Sequence, residues 1–171
     1  DMRGYLTGDV NLTGDFKDIT VAGKGRLKNA GLRVNFTQCF YNIIDTDIEL
    51  TSKKIDLDGI VLTDTVTNNP IYITGGIDHE SFKNMFYDLD ISTQKPKTVG
   101  IANNKPILLL NTTYKDNQQF YGYVKGTGLL QLRGPQSDMF MTINAVASDQ
   151  DSSNITLPPS SSRESGIADF L

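Results

Sequence analysis

Few residues in this chain have types that perform proton transfer or nucleophilic attack, and they lie far apart along it. His79, the single histidine, is flanked by Asp78 and Glu80. Imidazole exchanges protons near neutrality, so it would serve as a lone general base. Its place between the Ile71 to Ile77 alternation and the next run favours a turn residue instead. Cys39 is the single cysteine; it cannot form an internal disulfide or make a zinc site alone, and it reads as core. Ser160, Ser161, Ser162 and Ser165 sit in a proline-flanked polar stretch without a nucleophile-elbow pattern.

Paired carboxylates are the other chemical signal. Asp45 with Asp47, Asp56 with Asp58 and Asp88 with Asp90 each fall on one face of an extended strand. Such pairs could hold calcium, but an EF-hand loop from Asp56 would need an acid at Thr67. A solvated outer face opposite Leu57 or Leu89 accounts for them. Gly23-Lys24-Gly25 lacks the further glycines of a phosphate-cradling loop, and Lys24, Arg26 and Lys28 form a same-sign stripe that reads as solvated surface. Asn11, Asn35, Asn111 and Asn154 open N-x-[ST] triplets, glycan acceptors in a eukaryotic secreted chain and plain composition in a bacterial one. No catalytic residue, metal site or cofactor is expected, and the chain does not read as an enzyme.

The elements that would position these residues are strands. The 171 residues carry a net charge of -4, which gives no field for concentrating nucleic acid. Seventeen Asp, seventeen Thr, fifteen Ile and fifteen Gly stand against six Ala, a balance of turn formers and β-branched residues over helix formers. The longest apolar run, Ile107 to Leu110, is too short to span a bilayer. The chain opens at Asp1 directly in strand-like alternation and without a signal peptide, as a piece cut from something longer would.

Alternation with a two-residue period starts at Leu6, Val10 and Leu12 and recurs throughout. Leu27 and the set Leu32, Val34 and Phe36 lie on opposite parities, which predicts a turn or bulge at Asn29, Ala30 and Gly31 with positive φ at Gly31. Gly122, Gly126, Gly128 and Gly134 share the apolar parity of Val124, Leu130 and Leu132, marking bends or close packing. Met139, Met141, Ile143, Ala145 and Ala147 form the longest clean alternation. Ten to fourteen strands are expected, with one helical turn at Ser81 to Met85. The class is all-β, an elongated curled sheet, half-barrel or sandwich, over residues 1–147. Residues 148–171 form a polar Ser- and Pro-rich segment ending in apolar Ile167 to Leu171, which reads as a further strand of the same domain.

Several stretches together carry a resemblance. Gly25-x-Leu27-x-Asn29-Ala30-Gly31-Leu32-x-Val34-x-Phe36, followed by Tyr41, Asp45, Ile48 and Leu50, resembles the C-terminal region of TamB-type translocation and assembly proteins of the AsmA-like superfamily. Gly75-x-Ile77-x-His79-x-x-Phe82 with Asp88-Leu89-x-Ile91 is similar to it as well. So is Leu110-Asn111-Thr112-Thr113-x-x-Asp116-Asn117-x-x-Phe120-Tyr121-Gly122, continuing through Gly126 and Gly128 to Leu132-x-Gly134-Pro135, and then Ile155-x-Leu157-Pro158. The Pro158-Pro159 pair departs from the family's single proline. The resemblance implies a periplasmic part of an envelope protein of diderm bacteria, anchored in the inner membrane by an N-terminal helix. It implies a curled sheet with an apolar trough, an outer-membrane barrel assembly protein as partner, and a role in outer-membrane protein assembly, secretion or phospholipid passage.

Strands with one apolar side must hide it, in a closed sandwich or in a sheet curved around its own apolar face. Each sheltered methylene is worth about 0.8 kcal/mol, so a sixteen-carbon tail would gain roughly 12 kcal/mol in such a trough. A dozen strands side by side would extend close to ~60 Å. Leu27, Leu32, Val34, Ile71, Ile73, Val124, Leu130, Leu132, Met139, Met141 and Ile143 are the candidate lining, and as plain core they would show the same pattern. Phospholipid acyl chains are one expected occupant. Unfolded outer-membrane strands added to an exposed sheet edge are another. A β-sandwich adhesin or glycan-binding module, using Tyr114, Tyr121 and Tyr123, is the alternative from a different class; the chain has no tryptophan to favour it.

Overall fold

The computed structural model describes residues 2–15, 18–150 and 152–157, with side chains from residue 22 onward. The expected strand at Ile167 to Leu171 and the serines of the 160–165 stretch lie outside the described residues. Twelve strands form one antiparallel sheet that curls without closing into a barrel. They are β1 (Met2–Asp15), β2 (Asp18–Val34), β3 (Cys39–Ile43), β4 (Thr46–Thr51), β5 (Lys54–Asp56), β6 (Val61–Asp64), β7 (Pro70–Glu80), β8 (Lys83–Ser92), β9 (Ile107–Thr112), β10 (Tyr121–Pro135), β11 (Phe140–Ala147) and β12 (Asn154–Thr156). Among the described residues, helix is confined to two three-residue 3-10 turns, Ile101–Asn103 and Gln136–Asp138. The all-β expectation holds, as a single curled sheet.

The helical turn expected at Ser81 to Met85 is a hairpin instead. Ser81 and Phe82 take φ of 50° and 64°, and Glu80 pairs with Lys83 across them. Positive φ at both central positions gives the turn the twist that two right-twisted strands require.

The strands pair as an up-and-down succession in which several of them share a row. β3 and β4 lie in series along β2, and β5 and β6 lie in series along β7. β8 and β9 follow one edge of β10, while β11 and β12 follow the other. Twelve strands therefore make eight rows, which at the usual strand spacing span roughly 38 Å and not 60 Å.

Shared rows arise because the strands break at neighbouring heights. The β1–β2 register shifts opposite Asn29 and Ala30, where β2 also exchanges β4 for β3. Asn29, not Gly31, takes positive φ, 51°, because the Asp45 carboxylate at the β3–β4 break accepts its amide proton at 3.0 Å and Asn tolerates that region. Beside that break, the Ile44 amide donates to Val61. The β5–β6 break then faces Gly75 of β7, whose amide donates to Asp58 Oδ1 at 3.2 Å. Gly75 has φ 95°, and a Cβ there would collide with the Asp88 carbonyl. The β2 bulge, the two strand breaks and the positive φ at Gly75 fall in adjacent rows, where the sheet curls toward its apolar side.

β9 fastens the curl. The Leu108 amide donates to Asp64 Oδ2 at 2.9 Å, Tyr41 Oη donates to the Leu108 carbonyl at 2.9 Å, and the Asn111 amide donates to Thr37 at 2.9 Å. Asp64 is fully buried, and its carboxylate also accepts from the Val66 and Thr67 amides and the Thr67 hydroxyl. It thus orders the β6–β7 turn and holds β9 against it. Asp64→Ala would leave three backbone amides without this acceptor, the Leu108 amide deep in the core. We expect a loss of at least about 3 kcal/mol in urea unfolding, with the far-ultraviolet spectrum still that of a β protein in water.

Candidate functional site

The concave face is built by the two-residue period itself. Ile71, Ile73, Gly75, Ile77 and His79 share one face of β7, and the register carries that face across the neighbouring rows. Ile73 pairs with Ile91, Ile91 with Leu130, and Leu130 with Ile143. One step along, Gly75, Leu89, Leu132 and Met141 form the next ladder. Toward β9, Ile43, Leu62 and Ile71 form another. Ile60, Leu62, Ile71 and Ile107 are the buried centre, with Leu32, Tyr41, Ile73, Ile91 and Leu109 packed on them.

Between these ladders lies an apolar cavity of about 330 Å³. Six of the eleven expected residues line it: Leu32 and Val34 from β2, Ile71 and Ile73 from β7, Leu130 from β10 and Ile143 from β11. Leu62, Ile91, Ile107 and Leu109 add to the wall. The other five expected residues lie outside it. Leu27 is half-buried on the other side of the β2 bulge, and Val124 is buried where β10 pairs with Leu110 of β9. Leu132 and Met141 extend the apolar face one ladder further, and Met139 precedes β11, 41% exposed. Ile143 marks the open rim, since it lines the cavity while remaining 61% exposed. The glycines on this face mark close packing as expected: a Cβ at Gly126 would collide with the Val146 carbonyl.

Tyr41 and Thr93, two polar residues of the wall, have partners inside the protein. Tyr41 Oη is committed to Leu108. The Thr93 hydroxyl donates to Asn104 Oδ1 at 2.5 Å and accepts from the Gly128 amide at 2.9 Å. Burial pushes the Tyr41 phenol far above its ordinary value, with the nearby Cys39 and Asp64 adding to the shift. Burial likewise raises the Cys39 thiol, offset in part by its contact with the Thr37 carbonyl. No charged side chain lines the cavity, and its wall is built mostly from aliphatic residues, which suits hydrocarbon.

The residues with catalytic types are dispersed. Cys39 is buried beside Tyr41 and Asp64, as the core reading has it. His79 is buried in β7, next to the β7–β8 hairpin, where its Nδ1 accepts the Phe82 amide proton at 2.9 Å and its ring stacks on Phe82 at 4.6 Å. The aspartate pairs serve the sheet: Asp45 and Asp58 hold the breaks, Asp47 pairs with Arg26 at 2.9 Å, and Asp88 and Asp90 pair with Arg133 at 3.1 and 2.5 Å. Lys24, Arg26 and Lys28 are exposed on the outer face. Among the described residues no three His, Cys, Asp or Glu gather as a metal would need.

Sequence reasoning missed Asp64, Tyr41 and Thr93, the three polar residues that seal the wall. Asp64 carried a signal, because it continues the parity of Ile60 and Leu62 and so had to face inward. No family model, curated protein or solved structure matches the chain.

The fold holds Cys39 and Tyr41 neutral, so the unfolded chain releases those protons first. Their contribution is complete below the ordinary thiol value of 9.0 and is lost as pH rises beyond it. The urea midpoint should fall steadily from about pH 8.5 to about pH 10.5. A Cys39→Ala/Tyr41→Phe chain should show a flatter decline over the same span.

Proposed function

We propose that this chain is the β-rich periplasmic segment of a cell-envelope translocation and assembly protein whose trough shelters apolar cargo, the acyl chains of a phospholipid foremost. One observation carries the reading: an apolar cavity of about 330 Å³ on the concave side of the curled sheet, open at the β11 rim. Its volume sits at the low end of ligand pockets, about 300–1,000 Å³, and its wall offers hydrocarbon a dry surface along which each methylene gains about 0.8 kcal/mol. In this reading the wall binds hydrocarbon, and no residue is assigned a catalytic role.

The TamB-type resemblance supports the same reading, because its motif residues coincide with the points that shape the trough. Asn29 and Ala30 make the β2 bulge, and Gly75 faces the β5–β6 break. Asp116 and Asn117 order the β9–β10 turn: Asp116 accepts the Thr113 amide proton at 2.8 Å, a contact that holds its carboxyl low, and Asn117 accepts those of Gln119 and Phe120. With that resemblance come the periplasmic setting, an inner-membrane anchor on the whole protein and an outer-membrane barrel protein as partner. Among the described residues no helix is long and apolar enough to cross a membrane.

Strand capture is a second reading, favoured by β11. All eight of its residues are exposed, Phe140, Met141, Ile143 and Val146 among them, and its outer edge carries no partner among the described residues. An unfolded outer-membrane strand would add there through backbone hydrogen bonds. The adhesin reading fares worse: Tyr114 and Tyr121 pack edge to face at 5.8 Å, and the Lys125 ammonium sits over Tyr123, so the rings are engaged with the protein itself.

Native mass spectrometry of the gently extracted protein tests the lipid reading. Phospholipid should accompany the unaltered chain and the Met139→Asp variant, and should be lost from Ile143→Asp, whose rim position tolerates a charge. A lipid-free unaltered chain would overturn sheltering of acyl chains, and photocrosslinks from Val146 to an outer-membrane protein would then establish strand capture.

A further inference from the structure

Between β8 and β9 the chain leaves the sheet and returns, and this excursion has a composition unlike the rest. Residues 91–115 hold Lys95, Lys97, Lys105 and Lys115 without one Asp or Glu, in a chain of net charge -4. Lys95, Lys97 and Lys105 are exposed, and none pairs with a carboxylate among the described residues. Between them stand Val99 and Ile101, 89% and 91% exposed, the two most exposed of the large apolar side chains described.

The loop that presents them is braced from within. At its base Gln94 bridges Asn104, and Asn104 Oδ1 accepts the Thr93 hydroxyl proton. The Lys95 amide donates to Asn103 at 2.8 Å, and Gln94 Nε2 donates to both the carbonyl and the hydroxyl of Thr98. Asn103 Nδ2 donates to the Val99 carbonyl at 3.1 Å, and the Ile101–Asn103 3-10 turn follows Gly100, whose φ is 96°. The loop thus spends its own polar groups on holding a shape while leaving two aliphatic side chains in water, with exposed lysines before and after them along the loop.

The geometry points to the 94–105 loop as a docking tip for an anionic bilayer surface. Val99 and Ile101 enter the headgroup and acyl boundary, and Lys95, Lys97 and Lys105 meet lipid phosphates around them. Exposed aliphatic residues and unpaired lysines on one short braced loop are the combination an interfacial anchor needs. A specific protein interface buries far more area than two side chains offer, and a nucleic-acid site would place polar or aromatic groups, not Val and Ile, where the backbone approaches. A bilayer is met by shallow insertion with charge attraction, which is all this loop supplies. The inference does not rest on lipid in the trough.

The test is co-sedimentation of the 171-residue chain with vesicles of phosphatidylcholine alone and with about 30% phosphatidylglycerol, in low salt. Binding should need the anionic lipid and weaken as salt rises. Val99→Asp/Ile101→Asp should bind at least about tenfold more weakly, as should Lys95→Glu/Lys97→Glu/Lys105→Glu, both with an unchanged circular dichroism spectrum. Leu157→Asp, at an exposed apolar residue outside both the loop and the trough, should bind as the unaltered chain does, which separates this tip from exposed apolar surface in general. No binding to anionic vesicles would overturn the inference. So would aspartates at 99 and 101 that leave binding intact, the behaviour of a general polyanion or protein site.

Discussion

An antiparallel sheet with one apolar face and no second layer must cover that face with itself. Every local device in this chain answers that constraint. A flat sheet of these strands would leave the Ile73, Ile91, Leu130 and Ile143 ladder in water, at about 25 cal/mol for each Å² of apolar surface. The bulge at Asn29, the breaks at Asp45 and Asp58 and the positive φ of Gly75 stand in neighbouring rows, so their bends add up instead of cancelling. The curl buries the ladders nearest β9 and leaves those toward β11 progressively open. One deformation produces both a stable centre and an accessible trough.

The curl also decides which polar residues sit inside. Asp64 is a carboxylate on the apolar face, an expensive place for a charge, and it persists because four donors converge on it. Each of those donors belongs to a segment that would otherwise be loose: the β6–β7 turn and the start of β9. Thr93 performs the smaller version of this task between β8, β10 and the 94–105 loop. Polar groups inside the trough act as fasteners, and their partners are used up in fastening. That leaves the remaining wall free of competition for hydrocarbon.

Much of this was legible in the residues. Two-residue alternation fixed the all-β class, the strand positions and the inward faces, and the parity change between Leu27 and Leu32 located the β2 bulge. It misassigned the strained residue, because an asparagine with an acceptor waiting for its amide outcompetes a nearby glycine, and Asp45 is sixteen residues away. It read Ser81 to Met85 as helical because non-glycine residues at two positive φ values leave no compositional mark. Periodicity ranks residues by face but not by height along the strand. For that reason it set Leu27, Val124, Leu132, Met139 and Met141 among the lining, although they lie outside the cavity, whose limits depend on where β9 crosses to β3.

β11 shows how one strand can serve two chemistries at once. Its side chains on one face, Met141 and Ile143, extend the trough, while its outer backbone edge runs parallel to that rim and remains open among the described residues. Natural edges are usually blunted by lysine, proline or a bulge, and Phe140–Ala147 has none of these within it. Three lysines of this half of the molecule, Lys95, Lys97 and Lys105, stand on the 94–105 loop instead. Charge has thus been kept off the edge and placed on a projection that keeps its own fold. An unguarded edge beside an apolar rim suits a surface that takes up apolar or extended cargo in use, since a strand meant only to terminate a sheet would carry the protection that this one lacks.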